Sequence, residues 1–197
     1  MMNTTRRGLL KNGALVGLGA LIGPAVPALW NGISSSIAFG DSEQKTPEQR
    51  LKELGIELPP PNKPGATLVP AVRVGNVLYV SGHTPRSTDG SRIAGKVGAD
   101  LSVEEGKAAA RNVALQVLST VRNSLGSLDR VVRVVKVLGM VNATPDLTET
   151  PQVINGFSEL LIEIFGEESG KGARSAVGLA ALPGNVPVEV EAIFEVK

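Results

Sequence analysis

The chain has 197 residues, 42% of them apolar and 20% charged, a size and composition that suit one globular domain plus an appendage. No cysteine and a single histidine exclude disulfides, a thiolate nucleophile, cysteine metal sites and a histidine-rich metal centre within one chain, and no carboxylate motif for Mg²⁺ or Ca²⁺ is present. Net charge is +1, but the first forty residues hold three cations (Arg6, Arg7, Lys11) and no acid, so the remainder sets 17 cations against 19 anions and offers no basic face to a nucleic acid.

Residues 1–40 read as an export signal. Paired arginines in Thr5-Arg6-Arg7-Gly8-Leu9-Leu10-Lys11 precede an apolar run from Ala14 to Trp30 and small residues around Ser36-Ile37-Ala38. A charged start, an apolar middle and a small-residue end make a signal, and the paired arginines point to the twin-arginine route. The run is near the ~20 residues that span a bilayer, so a retained anchor is the alternative. Interruptions at Gly17, Gly19, Gly23, Pro24 and Pro27 favour the signal. The expected location is periplasmic or extracellular, with no lasting membrane partner.

Residues 41–66 read as a short helix and a linker. Thr46 can cap a helix that has Pro47 at its first position and Gly55 beyond its end. Pro59-Pro60-Pro61-Asn62-Lys63-Pro64-Gly65 is an extended lead into the domain at 67–197. Leu68 to Val74 and Val77 to Gly82 read as strands joined at Gly75-Asn76. Ser102 with Glu105 forms a capping box, and Ala110, Val113, Ala114, Val117, Leu118, Val121 and Leu125 recur behind it at helical spacing until Gly126. Val131 to Val141 suits a central strand covered on at least one face. Thr150-Pro151 starts a second helix, with Val153, Ile154, Phe157, Leu160, Leu161, Ile164 and Phe165 inward and Gly166 at its end. The order ββαβαββ is an α+β sandwich, with two helices on one face of a mixed sheet.

The C-terminal stretch carries the chemistry. Ala173 to Leu179 is strand-like, Pro183-Gly184-Asn185 is a turn signal, and Val186 to Val196 alternates, so the stretch reads as a hairpin. Val186, Val188, Val190, Ala192 and Phe194 occupy one face, and Glu189, Glu191 and Glu195 the other. Arg174 opens the first strand. Its guanidinium stays charged and offers a fork that matches a carboxylate, so it can bind and orient a small acid; a surface salt bridge is the plainer reading of an arginine at a strand start.

Arg174-Ser175-Ala176-Val177, Leu182-Pro183 and Val188-Glu189-Val190-Glu191-Ala192-Ile193, with Gly75-Asn76-Val77-Leu78-Tyr79-Val80-Ser81-Gly82 upstream, resemble the reactive intermediate deaminases (the Rid or YjgF-like family) over roughly Leu68 to Val196. The resemblance implies a chorismate-mutase-like fold and homotrimers with ligand clefts between neighbouring subunits. It implies enamine/imine deaminase activity on 2-imino acids, without a cofactor. By the same resemblance Arg174 holds the substrate carboxylate and Glu189 positions the attacking water. Ser81, Gly82, Ser175 and Ala176 would contact the substrate, and Asn155 matches an asparagine near the family's cleft, although it reads equally well as a polar residue on the outer side of its helix. Glu191 and Glu195 read as solvated or interface charges. The chain departs from the family's pattern at Leu68, where an aromatic hydroxyl is common, and at Ala176, where a cysteine is common. These departures leave open a carboxylate-binding trimer without turnover. Ribonuclease activity, also described in the family, finds little support in 3% aromatic residues and no basic stripe. His83, just past Ser81-Gly82, reads either as a general acid/base or as a polar residue at the rim or an interface.

Overall fold

A computed structural model describes residues 45–87 and 90–197, which belong to one compact unit beginning at Ser42. The export signal read over residues 1–40 lies outside the described residues. The elements are α1 (Pro47–Glu53), β1 (Ala71–Val74), β2 (Val77–His83), α2 (Val103–Leu125), β3 (Val131–Asn142), α3 (Thr150–Gly170), β4 (Ala173–Leu179) and β5 (Val188–Val196). The expected ββαβαββ order is present, with α1 added ahead of it. The strands form one sheet in the order β1-β2-β5-β3-β4, parallel only between β3 and β4.

The helices form where their caps and stripes place them. Ser102 accepts from the Glu105 N–H, Glu105 answers to the Ser102 backbone, and Gly126 closes α2 in the left-handed conformation at φ 84°. The apolar stripes of α2 and α3 bury Val113, Val117, Leu118, Val121, Phe157 and Leu160 completely against Val137, Val190 and Phe194 of the sheet. α3 passes the glycine expected to end it. Gly166 adopts φ 81° inside the element, so the chain kinks there and continues to Gly170.

The linker reading is revised as well. Leu51 of α1 is 2% exposed in the main core, Glu48 pairs with Arg122 of α2, and Ser119 donates to the Pro59 carbonyl at 2.5 Å. Helix and proline segment lie on the domain as part of its packing.

The hairpin expected between β4 and β5 does not form. β3 lies between them, bonded to both. Gly184 (φ 65°) and Asn185 (φ 56°) do turn the chain, but the connection passes over the end of β3. Asn142, fully buried at that end, donates its backbone N–H to Pro187 O (2.9 Å) and its side-chain amide to Asn185 Oδ1 (2.9 Å). Lys96 Nζ donates to Asn142 Oδ1 (2.7 Å), Ala180 O (2.6 Å) and Ala143 O (3.3 Å), so its three hydrogens all meet oxygen.

Helices α2 and α3 approach closely at Gly156, where an added Cβ would overlap the Lys107 backbone carbonyl of α2. A backbone atom cannot move aside as a side-chain end can. Gly156→Ala is therefore expected to lower unfolding stability by about 1–3 kcal/mol in a denaturant titration. Unchanged stability would show that the two helices can separate at no cost.

Candidate functional site

Strand alternation divides the candidate residues into two groups. Val137 of β3 pairs with Arg174 of β4 on one side and Ala192 of β5 on the other, and both Val137 and Ala192 are buried under the helices. Cross-ladder partners share a face, so Arg174 points toward the helices and Ala176, two residues on, does too. Met140 pairs with Glu189 and Leu138 with Ser175, which places Glu189 and Ser175 on the opposite, uncovered face.

On the helix side, Arg174 lies along the first turns of α3. Its Nη1 donates to Asn155 Oδ1 (2.9 Å) and Ser158 Oγ (3.1 Å), and Nη2 makes a long contact to Pro151 O (3.4 Å). Asn155 and Ser158 sit three residues apart on one helix face, so both reach one guanidinium. Fixing Nη1 holds the plane and leaves Nε–H with no partner among the described residues. The fork can therefore still receive a carboxylate on its Nε edge. Arg174, Asn155 and Ser158 line an open cleft with Glu159 and Lys171. The Ala176 carbonyl accepts from Thr150 Oγ1 at 3.3 Å, which commits it to the fold.

On the uncovered side, β2 contains a bulge. Val80 pairs with Ala192 and His83 with Val190, so Ser81 and Gly82 together oppose Glu191 alone. Ser81 is used as a latch: its N–H donates to Pro70 O (2.9 Å) and its hydroxyl to Val69 O (2.6 Å). At Gly82 the Glu189 carboxylate folds into the space a Cβ would take, so a side chain there would displace Glu189 from this position. Burial, and then the charge of Glu191, push the Glu189 carboxyl above the usual carboxylate range. Ser175 Oγ accepts from Lys136 Nζ at 3.0 Å on this same face.

The structure thus joins Arg174 with Asn155, and Glu189 with Gly82 and Ser81, but within one chain the sheet separates the two sets. Three polar residues were missed in the sequence. Ser158 was signalled by its spacing from Asn155, whereas the Lys96–Asn142 pair spans elements that no local pattern connects. Among the described residues no group of three or more His, Asp or Glu side chains is placed to hold a metal ion. No described helix is long and apolar enough to cross a membrane.

His83 lines the groove beside Gly82 with Ser81 and Arg86, yet it is buried and fully hydrogen-bonded within the chain. It is 2% exposed, with Nδ1 2.7 Å from the Ser81 carbonyl and Nε2 2.8 Å from Thr120 Oγ1 of α2. The bulge turns its ring inward, toward α2. Since a carbonyl only accepts, Nδ1 carries the proton and Nε2 accepts from the Thr120 hydroxyl. Desolvation is the main cause of a lowered pKa, and nearby Arg86 adds to it.

Residues 48–193 match a family model described as "YjgF/chorismate_mutase-like, putative endoribonuclease". The chain is 48% identical over 145 residues to Protein TCP17 of Trypanosoma cruzi, which covers 74% of this chain and 91% of that protein. The crystal structure of a putative endoribonuclease from Shewanella oneidensis superposes with a TM-score of 0.73 at 33% identity, covering 77% of this chain and all of the other. A protein of unknown function from Agrobacterium tumefaciens gives 0.69 at 41% identity, covering 77% and 94% of the two chains.

A histidine whose pKa falls on folding stabilises the fold fully above its ordinary value of 6.5, and that stability is lost as pH drops from there toward the lowered folded value. His83→Gln should flatten this part of the profile. Chemical denaturation of both proteins between pH 7.5 and 5, about the range where histidine titrates, checks it; equal slopes would contradict the buried, neutral assignment.

Proposed function

The chain belongs to the YjgF/chorismate mutase-like family, and on that premise we propose that it is an enamine/imine deaminase that hydrolyses 2-imino acids to 2-keto acids and ammonia in clefts between neighbouring copies. The observation that carries this reading is the pairing of an immobilised guanidinium on one sheet face with a carboxylate of raised pKa on the other. Each is half of a hydrolytic site. The uncovered face exposes Val72, Val74, Tyr79 and Val177, an apolar surface that a soluble chain covers. Closed rotational symmetry would cover it and bring the helix-side edge of one copy to the Glu189 side of the next. A homotrimer is the assembly that the family resemblance implies.

In this reading the substrate carboxylate takes the free Nε edge of Arg174, and Asn155 keeps the guanidinium plane fixed. The imine carbon then faces Glu189 of the neighbouring copy. The Glu189 carboxylate removes a proton from water as the oxygen bonds to the imine carbon, and the C=N electron pair moves to nitrogen, which takes up a proton from solvent; the proton lost at the end returns to solvent. The resulting carbinolamine collapses: Glu189 returns its proton to nitrogen, the C–N bond breaks, ammonia leaves, and the remaining hydroxyl loses its proton to become the ketone. An imine is already electrophilic, so the site needs position and proton transfer without a cofactor. A pKa raised by burial and by Glu191 brings Glu189 closer to the working pH for both roles.

A carboxylate-binding trimer without turnover is the second reading, favoured by Ala176, which supplies only a methyl group on the Arg174 side. Ribonuclease activity is not carried over to this chain, because 3% aromatic residues leave few platforms on which bases could stack.

Arg174→Ala and Glu189→Gln should each lower kcat/KM on freshly generated 2-iminopropanoate by about a hundredfold, the loss expected for a charged hydrogen-bonding partner. Dissociated and reassembled together in equal amounts, the two inactive variants should recover about a quarter of wild-type activity, since that share of the clefts receives both intact groups. If the mixture stays inactive while mixed trimers form, the shared-cleft reading fails; if the wild type does not hydrolyse the imine at all, the binding reading replaces it.

Residues 1–40 support export by the twin-arginine route as part of this proposal. Replacing Arg6 and Arg7 with lysine should hold the chain in the cytoplasm in a fractionation assay. Unaltered export would remove that route.

A further inference from the structure

The groove beside Gly82 contains two cations that the reaction as described leaves unused. Leu68, Pro70, Ser81 and Gly82 line it, Lys63 and Arg86 line it too, and its volume is about 370 Å³. Both cations are exposed. Lys45, Lys107, Arg111, Arg122 and Lys171 each meet a carboxylate, whereas among the described residues neither Lys63 nor Arg86 has an ion pair or a side-chain hydrogen bond.

The Arg86 backbone is anchored, and the segment that carries Lys63 is held on either side of it. Lys63 lies on the extended segment that Ser119 holds at Pro59, while Ser81 holds the same chain at Val69 and Pro70. The Arg86 N–H donates to Asn112 Oδ1 of α2 at 2.9 Å. Arg86 and His83 both line the groove.

An apolar wall from Leu68 and Pro70 followed by two unpaired cations suits a short aliphatic arm that ends in an anion. This step rests on the proposed reaction, in which the α-carboxylate goes to Arg174 and the imine carbon to Glu189; the substrate side chain then has this groove to enter. We propose that the preferred substrates are acidic, namely 2-imino acids of short dicarboxylic amino acids, whose distal carboxylate is held by Lys63 and Arg86 through charge-assisted hydrogen bonds. The hydrolysis is unchanged: water adds to the C=N carbon, ammonia leaves, and both carboxylates are retained.

The test uses the full-length protein and a Lys63→Gln/Arg86→Gln double variant, which keeps side-chain length and removes charge. Hydrolysis is followed for imines generated by an amino-acid oxidase from glutamate and from alanine. Binding of 2-oxoglutarate and of 2-oxobutyrate is measured in parallel by calorimetry. The wild type should favour the dicarboxylic member of each pair by about tenfold, the size expected of two charged contacts at a partly exposed site. The double variant should bring that ratio near one, and added salt should shrink it in the wild type. Equal treatment of both members by the wild type would overturn the proposal. So would a double variant that changes only the sedimentation state, which would give the cations to the contact between copies. Selective binding of 2-oxoglutarate with no imine hydrolysis would retain the acidic groove and sink the reaction; hydrolysis without acid preference would do the reverse.

Discussion

β3 is inserted between β4 and β5, parallel to one and antiparallel to the other, and this ladder decides where each candidate group points. Val137 brings Arg174 and Ala192 to the helix side, while Met140 brings Glu189 to the uncovered side. A register slip of one residue would exchange the faces, but Val188, Val190, Ala192 and Phe194 prevent it because they are buried at 2% exposure or less. The apolar side of β5 therefore sets the orientation of its carboxylates. The separation of guanidinium from carboxylate follows directly, and so does the need for a second copy if the two are to act on one molecule.

On the uncovered side, the bulge in β2 has two effects at once. It turns His83 inward to Thr120, where its ring closes a gap under α2 with both nitrogens bonded. It also sets Ser81 and Gly82 at the surface, the first latching the incoming chain at Val69 and Pro70 and the second giving space to Glu189. The proline-rich approach is thereby drawn along the edge of the half-site, and it brings Leu68 and Lys63 with it. A departure in the residues of this segment is a change in the pocket wall itself.

On the helix side, rigidity comes from saturation with hydrogen bonds. Asn155 and Ser158 take both hydrogens of the Arg174 Nη1, so the fork keeps its plane without being neutralised. At the far end of β4, the crossover to β5 is held by Lys96 and Asn142, with a buried amide and an ammonium group meeting oxygens and no carboxylate. Lys96 is half-buried, and its hydrogen bonds to three oxygens replace the water its ammonium group gives up there.

Much of this was legible along the chain. The capping box at Ser102, the stop at Gly126, the stripe from Val153 to Phe165 and the alternation from Val188 to Val196 are local patterns, because each depends on geometry repeated within a few residues. The same alternation separated the valines from the glutamates of β5 correctly. What the tertiary structure alone decided is which strands are neighbours and which groups converge. Pro183-Gly184-Asn185 turns the chain as its residues demand, yet whether a turn closes a hairpin or crosses another strand depends on what β3 occupies, and that is settled by burial of the whole sheet. The inward turn of His83, the opposite faces of Arg174 and Glu189, and the Lys63–Arg86 groove arise from contacts between residues distant in sequence, for which period and propensity carry no signal.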